Sequence, residues 1–185
     1  MNRPLSCIAL LVLLGCFCGP TAGAVLQIDP SQSKIEVAVS STASSFRAKL
    51  QKYQVAIEYD PARPLPTKAE LTFDFKDLKT GVEGRDAHML KWLEYSKNPT
   101  GSFRLTGWKQ NGEESLAQGD LTIHGIKRTI QMAVTVKRHN DACQIQGAAD
   151  LDYRDFGLPR IRKALLFSVD PHLKIEFRLV GKPGP

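Results

Sequence analysis

Cysteine and long apolar runs are scarce in this sequence once its first residues are set aside. Of the four cysteines, three lie within residues 7–18 and the fourth is Cys143. After removal of the N-terminal segment, Cys143 has no partner in its own chain, which excludes an internal disulfide. Its strand-like neighbours favour burial of this thiol over pairing between chains. No later stretch approaches the ~20 apolar residues that a membrane-spanning helix needs.

Motifs of the common catalytic and metal-binding kinds are also missing. The sequence has no GxSxG, GxGxxG or HExxH motif and no CxxC spacing. The carboxylates of Asp150 and Asp152 would share one strand face, as an acid beside a base or, more simply, as a solvated outer surface. Four histidines stand far apart, at 88, 124, 139 and 172. We therefore predict no catalytic residue, no metal ligand and no cofactor.

The charge of the chain is modest and evenly distributed. The sequence has 25 Lys and Arg against 19 Asp and Glu, a formal charge of +6. Nucleic-acid-binding proteins usually gather their cations into a stripe with interleaved aromatics, and no such stripe is visible. Nucleic acid is therefore not a predicted partner, whereas contact with an anionic membrane surface is compatible with this charge.

The first 24 residues have the composition of an export signal. Arg3 precedes an uncharged apolar run over residues 8–18, and residues 22–24 (Ala-Gly-Ala) have the small-x-small pattern that signal peptidase cleaves. We predict a signal peptide over residues 1–24. The alternative is lipoprotein processing at Cys16, which the bulky neighbours of that cysteine fit less well.

The rest of the chain is patterned for β-structure. Apolar and polar residues alternate in runs such as 35–39, 71–76 and 173–179, which is typical of antiparallel sheets with one packed and one solvated face. At least seven such strands indicate a sandwich or a barrel. Because no helical layer is available to cover the apolar faces, the pattern favours a sheet closed on itself.

Two segments depart from the alternation. Apolar residues at 82, 89, 90 and 93 have helical spacing, which predicts one short helix over about 83–94 that packs at an end of the barrel. The glycine- and proline-rich tail, residues 182–185, is expected to be disordered.

Four motifs, in this order, carry a resemblance to a known family. They are GRDAHML (84–90), YSKNPTGSF (95–103), GDLTIHGI (119–126) and DYRDFGL (152–158). With β-patterned sequence between them, they resemble the YceI-like family of lipocalin-like, polyisoprenoid-binding secreted proteins. The resemblance implies an eight-stranded antiparallel lipocalin-like barrel over residues 25–181, with the helix near one end and an elongated apolar lumen. This sequence departs from the family's Tyr-Pro element, because three residues separate Tyr95 from Pro99.

The same resemblance implies a periplasmic carrier of a long-chain amphiphile, such as a polyisoprenoid or an isoprenoid quinone, rather than an enzyme. Whether the lumen is hollow or filled depends on strand tilt and shear, which composition does not reveal. The candidates for the lumen wall are inward-facing apolar and aromatic side chains: Phe46, Tyr53, Val55, Ile57, Leu71, Phe73, Phe75, Phe103, Leu105, Met132, Val134, Ile145, Phe167, Ile175 and Phe177.

Four cations are predicted at the lumen mouth, near a ligand headgroup or an anionic membrane: Arg85, Arg160, Arg162 and Lys163. Arg85 has a second interpretation, in which it pairs with a carboxylate such as Asp86 or Asp155 and fixes the loop. The expected partners are an isoprenoid-like lipid and, transiently, a membrane surface or a membrane redox protein, with the protein a monomer or a homodimer. Three other functions stay open: binding of a fatty acid or its amide, an enzyme acting on such a lipid, and a filled barrel that serves as an interaction module.

Overall fold

The computed structural model describes residues 24–60, 65–111, 114–139, 142–163 and 167–184. Within these ranges the chain is almost entirely β-structure. The strands are β1 Ala24–Ile28, β2 Lys34–Ser40, β3 Ser45–Leu50, β4 Gln54–Tyr59, β5 Pro66–Asp74, β6 Leu78–Lys79, β7 Thr100–Asn111, β8 Glu114–Ile123, β9 Ile126–His139, β10 Ala142–Asp152, β11 Arg162–Lys163, β12 Phe167–Ser168 and β13 His172–Pro183. The helix is α1 Glu83–Trp92, and 3₁₀ turns cover Phe75–Asp77 and Tyr153–Phe156.

Eight of these strands form a closed antiparallel barrel. Their order is β1-β4-β5-β7-β8-β9-β10-β13, and β13 pairs back onto β1. The closing contact is short, with Leu26 opposite Pro183 and Ile28 opposite Gly181. The predicted eight-stranded barrel is therefore confirmed, and closure leaves no free edge around this ring.

One edge of β13 serves two partners. Its last residues pair with β1, whereas residues 174–178 pair with β2. From β2 the sheet continues through β3 to β6. The turn Phe75–Asp77 connects β5 to β6, so the chain bends from the barrel ring onto β3. These additional strands lengthen the wall at the end of the barrel where α1 lies.

Alternating burial along the strands produces the apolar interior. In β9, Met132 and Val134 are buried whereas Gln131, Ala133 and Thr135 are exposed, which is the period of two read from the sequence. The buried residues form two clusters. One lies toward β1 and includes Leu26, Ile57, Met132, Val134 and Ile145; the other lies beside α1 and includes Phe75, Leu93, Leu121, Tyr153 and Phe156.

The single predicted helix is present, but α1 ends at Trp92 rather than near residue 94. The chain leaves the helix through a turn in which Glu94 has a φ of 48°. Asp86 is buried in α1, and its Oδ1 accepts hydrogen bonds from the backbone N–H and the hydroxyl of Thr80. No helix among the described residues is long and apolar enough to cross a membrane.

The two segments that flank the predicted domain are each described in part. The expected signal peptide falls on residues 1–24, of which only Ala24 is described, as the first residue of β1. The prediction of a disordered tail is wrong for Lys182 and Pro183, which belong to β13 and pair with β1. The Gly184 N–H also donates to the Val25 carbonyl at 2.8 Å. Ladder hydrogen bonds with β1 order this glycine- and proline-rich segment.

Three glycines let aromatic rings lie flat against the inner wall. A Cβ on Gly101 would meet the Phe73 ring at 2.4 Å, and one on Gly119 would meet the Phe103 ring at 2.3 Å. Gly147 is likewise covered by the ring of Phe177, whose nearest carbon would lie 2.8 Å from a Cβ at this position. Glycine in a strand commonly marks such a close approach of a neighbouring group. The rings therefore take up lumen space beside the wall rather than across it.

We expect Gly119→Ala to lower the free energy of unfolding by about 1–3 kcal/mol, because its new methyl group would overlap the Phe103 ring and the Arg104 carbonyl oxygen. The measurement is urea denaturation followed by circular dichroism. Gly107→Ala is the matched control, since nothing lies within 4 Å of a Cβ at Gly107. Equal stability of the two variants would contradict this packing account.

Candidate ligand cavity

The interior of the barrel is hollow. It encloses a cavity of about 1220 Å³, whose lining comes from both core clusters and from α1. Ligand pockets commonly measure about 300–1,000 Å³, so this cavity can accept a large molecule. Side chains that face inward from the strands provide most of the wall, α1, turns and loops provide the rest, and most of the lining residues are apolar.

Thirteen of the fifteen predicted lumen residues line this cavity. They are Phe46, Val55, Ile57, Leu71, Phe73, Phe75, Phe103, Leu105, Met132, Val134, Ile145, Ile175 and Phe177. Tyr53 does not line it: this residue precedes β4 and packs against the cluster toward β1, and burial raises the pKa of its hydroxyl. The side chain of Phe167 lies outside the described part of the structure. A role of these residues in ligand binding stays a prediction.

Several wall residues were missed because they do not belong to alternating runs. Trp92, Tyr153 and Leu158 line the cavity beside α1. The Trp92 indole N–H donates to the Pro159 carbonyl at 2.8 Å, and its ring meets that of Tyr153 edge to face at 5.0 Å. Trp108, farther along the wall, donates its indole N–H to the Pro66 carbonyl at 2.9 Å. With both indole N–H groups bonded to backbone, the tryptophans present apolar surface to the cavity.

Charged residues and histidines are few in the described wall: Glu70, Arg85, His88, Arg160 and Arg162. Glu70 pairs with Arg104 at 3.2 Å on the outer side of the sheet. The others lie at the end near α1. His88, Arg160 and Arg162 both line the cavity and are exposed to solvent. These three residues therefore mark the mouth of the cavity.

Arg85 stacks on an aromatic ring at this end of the barrel. Its guanidinium carbon lies 3.9 Å from the centroid of the Phe46 ring, a distance at which cation and ring attract each other. Among the described residues, Arg85 forms no salt bridge with Asp86 or Asp155, so the carboxylate pairing proposed from the sequence is not observed.

The segment that bears Arg160 and Arg162 is held by backbone hydrogen bonds. The Ile161 N–H donates to the Tyr153 hydroxyl at 3.2 Å, and the Val169 N–H donates to the Ile161 carbonyl at 3.1 Å. In β11 and β12, Arg162 lies opposite Ser168. The side chain of Lys163, the fourth predicted mouth cation, lies outside the described part of the structure.

The carboxylates that the sequence offered for catalysis lie outside the cavity lining. Neither Asp150 nor Asp152 lines the cavity, and Asp152 accepts hydrogen bonds from Arg154. Cys143 is half-buried in β10, and burial raises the pKa of its thiol. His124 Nδ1 lies 3.2 Å from the Phe156 carbonyl oxygen, a contact that supports a structural role. Within the described ranges, no group of three or more His, Cys, Asp or Glu residues could hold a metal ion.

The clearest electrostatic perturbation belongs to Asp152 and is structural. The Arg154 side chain and backbone N–H lower the pKa of Asp152 from 3.8 to about 2. A carboxyl group whose pKa falls on folding stabilises the folded state above its unfolded pKa, and that stabilisation is lost as the pH falls through the folded value.

Asp152→Asn is therefore expected to lower the free energy of unfolding at pH 7 by about 1 kcal/mol. The difference from the wild type should shrink as the pH falls below 3.8 and be largely lost at pH 2. Chemical denaturation across this pH range measures it, with the exposed Asp150→Asn as the control. A difference that is constant down to pH 2 would contradict the role of the ionised carboxylate.

A closed antiparallel barrel with a hollow apolar interior and a helix at its mouth defines a lipocalin-like barrel. The family model described as the YceI-like domain matches residues 26–181. The chain therefore belongs to the YceI-like family, as its four motifs predict.

The chain is similar to several known proteins at low sequence identity. BcnA of Burkholderia cenocepacia superposes with a TM-score of 0.74 at 19% identity, covering 84% of this chain and all of BcnA. A polyisoprenoid binding domain from Saccharophagus degradans, implicated in plant cell wall breakdown, superposes with a TM-score of 0.66 at 17% identity, covering 88% of this chain and 99% of that domain. A UPF0312 protein of Pseudomonas aeruginosa is 25% identical over 118 residues, which span 60% of this chain and 62% of that relative's length.

Proposed function

We propose that this protein binds a lipid with a long isoprenoid-like tail in its barrel and sequesters or carries it in the periplasm. The observation that carries the proposal is the hollow apolar cavity of about 1220 Å³. The polyisoprenoid binding domain from Saccharophagus degradans has the same fold. The export-like sequence of residues 1–24 supports the location.

Binding energy in such a site comes from removing the tail from water. Each buried CH₂ contributes up to about 0.8 kcal/mol, and the described wall has few polar groups that would lose hydration. A tail enclosed from the mouth to the region of Trp108 would gain many such increments. The polar end of the lipid belongs at the mouth, where His88, Arg160 and Arg162 meet solvent.

This arrangement favours a carrier over the other functions left open by the sequence. A hollow interior is the property that a carrier needs and that a filled interaction module lacks. The carboxylates considered for catalysis lie outside the cavity wall, so they do not face a lipid bound there. A fatty acid or its amide would use the same cavity, and the identity of the extracted lipid distinguishes it from an isoprenoid.

Native mass spectrometry of the protein purified from its own host tests the proposal. We expect a defined adduct that organic extraction identifies as an isoprenoid lipid. A fatty acid or fatty amide in the extract would show that the cargo is not an isoprenoid. An apo mass that persists after incubation with quinones and polyprenyl lipids would overturn the proposed function.

A second test blocks the lumen. Met132→Trp places a larger side chain in the cavity wall, and we expect it to weaken binding of a fluorescent polyprenyl probe at least about tenfold, because part of the tail loses its enclosure. Gln131→Trp, on the exposed face of the same strand, is the matched control. Thermal unfolding verifies that both variants fold. Equal affinity in the two variants would contradict a binding site inside the barrel.

A further inference from the structure

A second, smaller pocket of about 360 Å³ adjoins the mouth of the barrel cavity. Arg160, Arg162 and Val169 line both spaces. The remaining lining of the small pocket comes from the end of β2, the loop after it, and the segment that leads into β13: Ser40, Ser41, Thr42, Ser168, Asp170 and Pro171. Two guanidinium groups thus stand at the junction between an apolar cavity and a polar pocket.

The polar lining of the small pocket is built on backbone that hydrogen bonds hold in place. The Thr42 N–H donates to the Ser168 carbonyl at 3.0 Å, and the Ser168 N–H donates to the Thr42 hydroxyl at 3.2 Å. The Asp170 N–H donates to the Ser40 carbonyl at 2.8 Å. The pocket therefore has a defined wall of hydroxyl-bearing residues, in contrast to the apolar wall of the barrel cavity.

One acidic residue, Asp170, also lines the small pocket and adds negative charge to it. Asp170 Oδ1 accepts the His172 N–H at 2.9 Å. Asp170 lines the small pocket but not the barrel cavity, whereas both arginines line the two spaces. The junction that a bound lipid would cross is therefore the cationic part of the pocket.

The two arginines at this junction differ from three other arginines of the barrel, which pair with carboxylates. Arg47 pairs with Glu176, Arg104 with Glu70 and Arg154 with Asp152. No salt bridge or hydrogen bond joins either Arg160 or Arg162 to a carboxylate of the described residues. Their charges are thus available to a ligand.

The local backbone directs both arginines toward the same region. Ile161, which lies between them, lines only the barrel cavity, whereas Arg160 and Arg162 also line the small pocket. Hydrogen bonds from the Ile161 N–H and to the Ile161 carbonyl hold this segment on both sides. Guanidinium groups bind phosphate and carboxylate in a bidentate manner, which makes arginine the preferred residue for such groups.

We propose that Arg160 and Arg162 bind the acidic headgroup, a phosphate or a carboxylate, of a lipid whose tail occupies the barrel cavity. This inference rests on the proposed function and specifies its cargo: an acidic lipid is preferred over a neutral one with the same tail. The headgroup lies in the small pocket, and the tail enters the cavity beside Val169.

The test compares geranylgeranyl phosphate with geranylgeraniol, which share one tail, in the wild type and in R160Q/R162Q. We expect the wild type to bind the phosphate at least about tenfold more tightly than the alcohol. R160Q/R162Q should lose this preference and keep the affinity for the alcohol. The control is K174Q/R178Q, which removes the same charge from exposed positions of β13 that line neither space. It should retain the preference.

The other outcomes overturn the inference in distinguishable ways. If the wild type binds both lipids equally, the headgroup site is wrong while the proposed function stands. If neither lipid binds, the proposed function fails as well. Binding of inorganic pyrophosphate that depends on the two arginines, without a preference between the lipids, would indicate a free-anion site. Slower extraction from anionic vesicles by R160Q/R162Q, with unchanged affinity for the soluble lipids, would indicate a membrane contact instead.

Discussion

The pairing of β13 with β1 is the constraint on which the remaining structure depends. Because the barrel encloses a cavity, its buried side chains pack in two clusters around that cavity rather than in one filled core. Closure satisfies the backbone groups of eight strands in one continuous ladder. The same edge of β13 also pairs with β2, which lengthens the wall toward α1. One strand thus both closes the ring and extends it to the mouth.

Apolar and polar side chains are separated along the axis of the barrel. Inward side chains of the alternating strands line the cavity, and the tryptophans that contribute to it direct their N–H groups to backbone carbonyls. Arg160 and Arg162, which pair with no carboxylate among the described residues, lie where the cavity meets solvent, at a junction with a pocket lined by serine and threonine residues. An amphiphile has the same division between an apolar tail and a polar end, so its orientation follows from the polarity of the wall.

Alternation in the sequence predicted the parts of the wall formed by regular strands. Met132 and Val134 could be assigned to the inner face because one face of β9 is consistently apolar. Trp92, Tyr153 and Leu158 were missed because they lie in a helix, a 3₁₀ turn and an irregular segment, where a period of two has no meaning. Tyr53 was assigned to the wall because the alternation was extended to this residue, which immediately precedes β4. The hollow interior and the ordered tail depend on pairing between distant strands, which local sequence does not encode.

The aromatic rings that lie on Gly101, Gly119 and Gly147 have a consequence for the calibre of the lumen. Each ring and its glycine form a unit that spans two strands, so neither residue can change size alone without a clash or a void. Exchanging both members together, a smaller side chain for the ring and a larger one for the glycine, would move bulk from one strand to its neighbour while the exterior stays the same. The bore of this barrel is therefore set by pairs of residues on neighbouring strands, and it changes in discrete steps when both members of a pair are exchanged.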